Sequence, residues 1–295
     1  MTFHKPTADL FIPDGTEAVT ALARVTQLGI GAHQDDIEFM AIPGILDCFG
    51  KPQRPFGGVV CTNGAGSART GLYAGVSNEE MCRVRRHEQR TAAAIGQYGF
   101  VAQLDYTSAE ARAPGQAALI ADLTAILLAT RPAVIYTHNL ADKHETHVAV
   151  AVAALLAVRT LPMAKRPARM YGCEMWRDLD WLPDTEKAVF DVSAHQNLQA
   201  ALNGVYDSQI AGGKRYDLAA MGRRRAHATF LDSHAADTTE LATVAMDLSP
   251  LIQDDTRDII EYVTAFIQQF AADVRSKLAA RLPVKSTCGN TRPNG

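Results

Sequence analysis

Two short stretches of this chain hold residues whose types and spacing can do chemistry. The first is His33-Gln34-Asp35-Asp36-Ile37-Glu38, which follows the apolar run Leu28-Gly29-Ile30-Gly31-Ala32 without a break. Adjacent carboxylates beside an imidazole are costly to hold near a core unless they are paired or bound to a metal. The plainer reading is an acidic helix start, since the helix dipole favours aspartate at the N-cap and in the first turn. The second stretch is His138-Asn139 with Asp142, His144 and His147, directly after the apolar run Ala133-Val134-Ile135-Tyr136-Thr137. One histidine there would be an ordinary solvated loop residue. Three within ten residues, with Asp142 among them, favour a ligand cluster. His144 and His147 are three apart and share a face once a helix has begun. Two imidazoles and one carboxylate, with a position left for water, are the donor set of a catalytic zinc. The same donors suit ferrous iron, so the sequence leaves the metal open.

A scaffold must bring these stretches together. The first half alternates apolar, β-rich runs at 27–32, 58–62, 101–106 and 133–137 with helical patterns at 37–48, 78–98, 116–130 and 144–160. Ser77 with Glu80 is a capping box ahead of the second helix. Pro114 and Gly115 mark the loop before the third, and Pro132 closes its far side. Such alternation predicts an α/β fold, a mostly parallel sheet with helices on both faces. Ligands bind such sheets at the carboxyl ends of strands. If the runs at 27–32 and 133–137 are both central, the two polar stretches share one rim. Further strands are expected at 170–176 and 189–192, and helices at 198–206, 218–228 and 256–282, the last ended by Pro283. The expectation is a single domain over 1–284, its C-terminal third covering the sheet, and a disordered polar tail at 285–295.

Composition narrows the function. The chain of 295 residues is 47% hydrophobic and 21% charged, an ordinary globular balance rather than a disordered one. Against 32 Asp and Glu stand 29 Lys and Arg, so no basic field favours nucleic acid. No apolar run reaches the ~20 residues that span a bilayer, and the first thirteen residues do not read as a secretory signal. Five cysteines, without a C-x-x-C pair, indicate neither a disulfide framework nor a cysteine zinc site. A cytoplasmic protein is expected, with a homo-oligomer left open.

The motifs resemble those of the LmbE-like (PIG-L) zinc-dependent N-deacetylases. His33 to Glu38 is similar to their A-H-P-D-D-x-E, and Asp142-Lys143-His144-Glu145-Thr146-His147 to their D-x-H-P-D-H. Between them, Cys61-Thr62-Asn63-Gly64 resembles the T-x-G turn, and Val84-Arg85-Arg86-His87-Glu88 the V-R-x-x-E helix. Later, Tyr206-Asp207-Ser208-Gln209 resembles H-x-S-Q, and Glu240 a late acidic position. The resemblance implies a Rossmann-like three-layer sandwich. It implies Zn2+, or Fe2+ or another divalent metal, on His33, Asp36 and His147, with Asp35 as general base and His144 stabilising the oxyanion. Arg85 and Asp105 fall where relatives contact the sugar. The implied reaction removes an acetyl group from the nitrogen of an N-acetylglucosamine-type small molecule or glycoconjugate.

Three departures stand out: Gln34 for proline, which loosens the turn; Thr146 for the aspartate that orients and charges the histidine; and Tyr206 for histidine.

Other readings compete. Gly29-Ile30-Gly31-Ala32-His33-Gln34 begins like a dinucleotide-binding G-x-G-x-x-G, but Gln34 replaces the third glycine and Asp35 and Asp36 would repel a pyrophosphate. A non-catalytic metal- and sugar-binding protein, or an amidase for a non-sugar amide, would share the same donors. Arg85 has its own alternative, an exposed i, i+3 pair with Glu88. Trp176 and Trp181 could stack on a sugar, or simply pack at the core or rim.

Overall fold

Successive side chains of a strand face opposite sides of a sheet, and here both sides are covered. The computed structural model describes residues 1–283, so the tail expected at 285–295 lies outside the described residues. Strands β1 (Asp9–Phe11), β2 (Gln27–Gly31), β3 (Phe56–Thr62), β4 (Phe100–Tyr106), β5 (Val134–His138), β6 (Arg169–Cys173), β7 (Lys187–Asp191) and β8 (Ala242–Asp247) form one sheet. Their order is β1-β4-β3-β2-β5-β6-β8-β7. The five from β4 to β6 are parallel, and β1, β8 and β7 add antiparallel edges.

Leu28, Ile30, Val59, Cys61, Ala102 and Ile135 point into one core, covered by helices Ala117–Thr130, Glu145–Arg159 and Ile259–Ala279. Phe56, Val60, Val101 and Tyr136 point into the other, covered by Ile42–Cys48, Asn78–Ile95 and Gln196–Gly204. The result is the three-layer α/β sandwich that the alternation predicts. Gly29 permits a close approach below the site. A Cβ there would lie 2.9 Å from the Phe56 ring and 3.0 Å from Ile37, the residue that seats the first helix after β2.

Three expectations change. The helix at 37–48 is two, Asp36–Met40 and Ile42–Cys48, divided at Ala41. Pro43 lacks an N–H and is tolerated only in a first turn, which is where the second helix places it. The C-terminal third covers the sheet and also extends it, supplying β8 between β6 and the expected strand β7. At the opposite edge, β1 pairs with β4 through three residues. Among the described residues, no helix is long and apolar enough to cross a membrane.

Candidate metal centre

β2 and β5 are neighbours where the strand order reverses, the place at which an open parallel sheet leaves a crevice beyond its carboxyl ends. The chain leaves β2 into His33 and ends β5 at His138, so the two polar stretches meet on one rim. The turn after β2 is tight. His33 N donates to Asp36 Oδ2 at 2.7 Å, and Asp35 takes a left-handed backbone with φ 93°. A non-glycine residue there carries strain, and such strain gathers at functional sites.

Asp36 is 2% exposed and sits among three imidazoles. Its Oδ2 is 3.4 Å from His33 Nδ1 and 3.2 Å from His138 Nε2, and its Oδ1 is 3.5 Å from His147 Nε2. His33 Nδ1 and His147 Nε2 are themselves 3.2 Å apart. Donors this close fit around one cation. Asp142 fixes the tautomer: its Oδ2, 3.2 Å away, accepts the Nδ1–H of His147 and leaves Nε2 free toward Asp36 and His33. Burial holds His147 down to about 4, so at pH 7 it is neutral, the form that ligates. Desolvation works to raise Asp36, but the neighbouring His147 and His138 bring its carboxyl well below the usual range.

His138 meets the same carboxylate and is set apart by its backbone partner. Its Nε2 accepts the Ala32 N–H at 2.9 Å, which engages the lone pair a metal would need. The ring stacks on His147 at 3.8 Å and backs it.

The spacing of the motifs puts His138 in the cluster without revealing this supporting place.

Asp35 lines a cleft of about 410 Å³ together with His33, Asp36, His144, Trp176 and Tyr216. Burial pushes its carboxyl up to about 7; Arg85 opposes the rise and Asp36 adds to it. Arg85 Nη2 donates to Asp35 Oδ2 at 2.9 Å and to the Gln34 carbonyl, and Nη1 lies 3.2 Å from Glu88 Oε2. Arg85 and Glu88 do pair, but the pair is buried rather than exposed. The cause is the 206–209 segment. Ser208 donates to Glu88 through both N (2.7 Å) and Oγ (2.8 Å), and the Tyr206 ring lies over the Arg85 guanidinium at 5.5 Å.

His144 caps the Glu145–Arg159 helix without a side-chain bond, and its own N–H donates to Asp142 Oδ1 at 3.1 Å. Its ring stacks on His147 at 4.5 Å and lies 6.3 Å from Trp176. Asp105 does not reach the cleft. Also left-handed (φ 63°), it binds Arg86 Nη2 at 2.8 Å and the Thr7 hydroxyl, tying down the N-terminal segment. Trp181 packs against the core, whereas Trp176 forms cleft wall. Glu240 is exposed and holds Gln196.

The family described as PIG-L, GlcNAc-PI de-N-acetylase, matches residues 28–158, which hold the whole imidazole–carboxylate cluster. Over residues 28–158 the chain is similar to PIG-L. Solved structures share its fold. N,N'-diacetylchitobiose deacetylase from Pyrococcus horikoshii superposes with a TM-score of 0.61 at 16% identity, over 80% of this chain and 88% of its own. GalB, the 4-carboxy-2-hydroxymuconate hydratase of Pseudomonas putida KT2440, gives 0.59 at 17%, over 76% and 96%. The A40926 pseudoaglycone deacetylase Dbv21 gives 0.55 at 20%, over 76% and 97%. Two deacetylases and a hydratase on one fold mean that the fold alone does not choose the reaction. No curated protein matches the chain by sequence.

The three departures from the PIG-L motifs have distinct consequences. Gln34 does not loosen the turn: its Nε2 donates to the Thr62 carbonyl (3.1 Å) and Gln103 (3.3 Å). Gly64, at φ 73°, makes room, because a Cβ there would lie 2.5 Å from Gln34 Oε1. Thr146 leaves His144 without an acidic partner. His144 Nδ1 and Thr146 Oγ1 are both buried and unpaired, and burial lowers the His144 pKa. Tyr206 replaces the motif histidine with an anchor, its hydroxyl donating to the buried Glu38 at 2.5 Å. Met175, Gln209 and Tyr216 also line the cleft. Gln209 belongs to the segment that resembles H-x-S-Q, whereas Met175, at the end of an expected strand, and Tyr216, ahead of an expected helix, lie in no motif.

Proposed function

We propose that the protein is a metal-dependent N-deacetylase that hydrolyses the acetamido group of an N-acetylglucosamine-type sugar or glycoconjugate. One observation carries the reading. Donor atoms of His33, Asp36 and His147 approach one another pairwise to 3.2–3.5 Å, and Asp35, beside Asp36 in the chain, stands in the adjoining cleft on a buried arginine. The sugar rests on the family's description and on the chitobiose deacetylase that shares the fold.

Zinc is our assignment from two imidazoles and one carboxylate, with Fe2+ the competing ion. When bound, such a metal polarises the amide carbonyl and lowers the pKa of water toward ~7. Asp35 takes the proton of the attacking water and returns it to the departing amine, and a carboxyl near 7 suits both tasks. Arg85 positions that carboxylate through its bond to Oδ2. His144, when protonated, donates to the oxyanion that develops from the amide. Acetate and a free amine leave. We place the protein in the cytoplasm, a setting supported by the free thiols of Cys48, Cys61, Cys82 and Cys173.

The test combines metal analysis with amine release from N-acetylglucosamine, N,N'-diacetylchitobiose and N-acetylglucosaminyl conjugates. One metal per chain and equimolar acetate and amine are expected. A bound metal and sugar affinity without turnover would leave a binding protein. Turnover of acylated peptides alone would leave an amidase without the sugar.

A further inference from the structure

A second chamber, of about 310 Å³, lies behind the wall of the reaction cleft and shares Met175, Trp176 and Tyr216 with it. Its size lies at the lower end of small-ligand pockets. Phe39, Met40, Ala220 and Val244 make much of its lining apolar. Its charges are one-sided. Lys143, Arg223 and Arg224 line it, against a single carboxylate, Glu174. That carboxylate is already engaged, with His227 Nε2 at 2.5 Å and Leu179 N at 2.6 Å.

Arg224 is the telling residue. It is 2% exposed, yet its guanidinium has no carboxylate within 4 Å among the described residues. Its Nη groups donate to neutral oxygens: Gln199 Oε1 at 2.8 Å, the Glu38 carbonyl at 2.9 Å and the Phe39 carbonyl at 3.2 Å. Its Nε is buried with no partner. Buried arginines are ordinarily paired, because a cation out of water without a counter-ion is destabilising. Burial pulls this one down to about 10. Arg223 donates to the Met175 carbonyl at 2.5 Å, and the Lys143 ammonium lies 5.7 Å over the Trp176 ring. Neither has a carboxylate partner among the described residues.

We propose that this chamber recognises an apolar group ending in a carboxylate, the aglycone-side substituent of the substrate, with its body between Phe39, Met175 and Trp176 and its charge on Arg224. Trp176 and Tyr216 belong to both cavities, so one molecule can place its amide in the cleft and its carboxylate in the chamber. That this group belongs to the substrate rests on the deacetylase reading. The chemistry of the chamber does not.

4-Phenylbutyrate and its uncharged isostere 4-phenylbutanamide are suitable probes, titrated into the full-length protein with Trp fluorescence and calorimetry as readouts. The acid is expected to bind at least ten-fold more tightly than the amide and to raise the melting temperature, while acetate does neither. Because carboxylates also ligate metals, the titration is repeated on chelator-treated protein, where the preference for the acid should persist. Ala220→Phe, which fills the chamber, should abolish binding of both probes. Arg224→Gln should bring acid and amide within about two-fold; if it does not fold, the wild-type comparison and Ala220→Phe still decide. Equal affinity for acid and amide, or a preference that vanishes with the metal, would overturn the proposal. Acid binding without turnover of any N-acetylglucosaminyl compound would keep the chamber and remove the deacetylase. Turnover with no preference between the probes would do the reverse.

Discussion

At the scale of single residues, neighbouring aspartates are given different work by their surroundings. Asp36 is ionised among imidazoles, while burial pushes Asp35 up to about 7. His33→Ala, Asp36→Ala and His147→Ala are each expected to lose tight metal binding, measured by atomic emission. Asp35→Asn should keep the metal and lose ~10²–10⁴-fold in kcat. Asparagine tolerates a left-handed backbone, so that variant should also fold. Metal loss in Asp35→Asn with normal metal in Asp36→Ala would exchange their roles. A second prediction concerns His144, whose protonated form is disfavoured by burial. If the reaction needs that proton, activity falls as pH rises through the His144 pKa, so a lowered pKa brings the fall to lower pH. Thr146→Asp places a carboxylate beside it, in the first turn of a helix where the dipole favours an anion. The basic limb of kcat should then move to higher pH. An unmoved limb in a folded Thr146→Asp variant would take His144 out of the mechanism.

Among elements, the Asn78–Ile95 helix ties the site to the 206–209 segment through Arg85 and Glu88. Lysine cannot span Asp35, Glu88 and the Gln34 carbonyl at once as a planar fork does. Arg85→Lys should therefore lower kcat and also the melting temperature by several degrees, since a buried pair is being broken rather than an exposed one. Unchanged stability would mean that Arg85 is solvated. Asp105, by contrast, braces the N-terminal segment through Thr7 and Arg86. Asp105→Ala is expected to increase proteolysis near residues 1–8 without raising KM; a raised KM would restore the substrate contact that the motif resemblance implies. These cases show what the sequence makes legible. His33 and Asp36 can be read locally as candidates, because they follow an apolar strand within a few residues, and His147 because it shares a short stretch with His138, Asp142 and His144. The burial of Arg85 cannot, because it depends on Tyr206 and Ser208, far along the chain. β8 escapes a pattern reading because Ala242 and Ala245 dilute its alternation, and β1 because it is three residues long.

On the scale of the whole molecule, the cluster around Asp36 joins residues from both sides of the switch point, so a cation there fastens β2 to β5 and the helix after it. A ligand bound only by the folded state stabilises it by about 2.7 kcal/mol at a free concentration 100 times its Kd. For a chain of this size that is a rise in melting temperature on the order of 4–5 °C. Calorimetry of chelator-treated protein should show that loss and its recovery on adding zinc. Identical melting curves would mean that the three donors do not hold an ion in common.

The place of β8 also shapes how the chain is made. Every residue of the Asp36 cluster lies between 33 and 147, so the proposed metal donors are all made before β6, β7 and β8 in synthesis, which proceeds from the N-terminus. β6 follows at Arg169–Cys173, but its outer neighbour is β8, and β7, which comes between them in sequence, pairs among the described residues with β8 alone. While the ribosome adds the intervening segment, β6 stands with an open hydrogen-bonding edge, a template for unwanted pairing. The nascent chain therefore carries its proposed metal donors before it can protect its sheet, and chaperone demand should concentrate in the interval before residue 247 emerges.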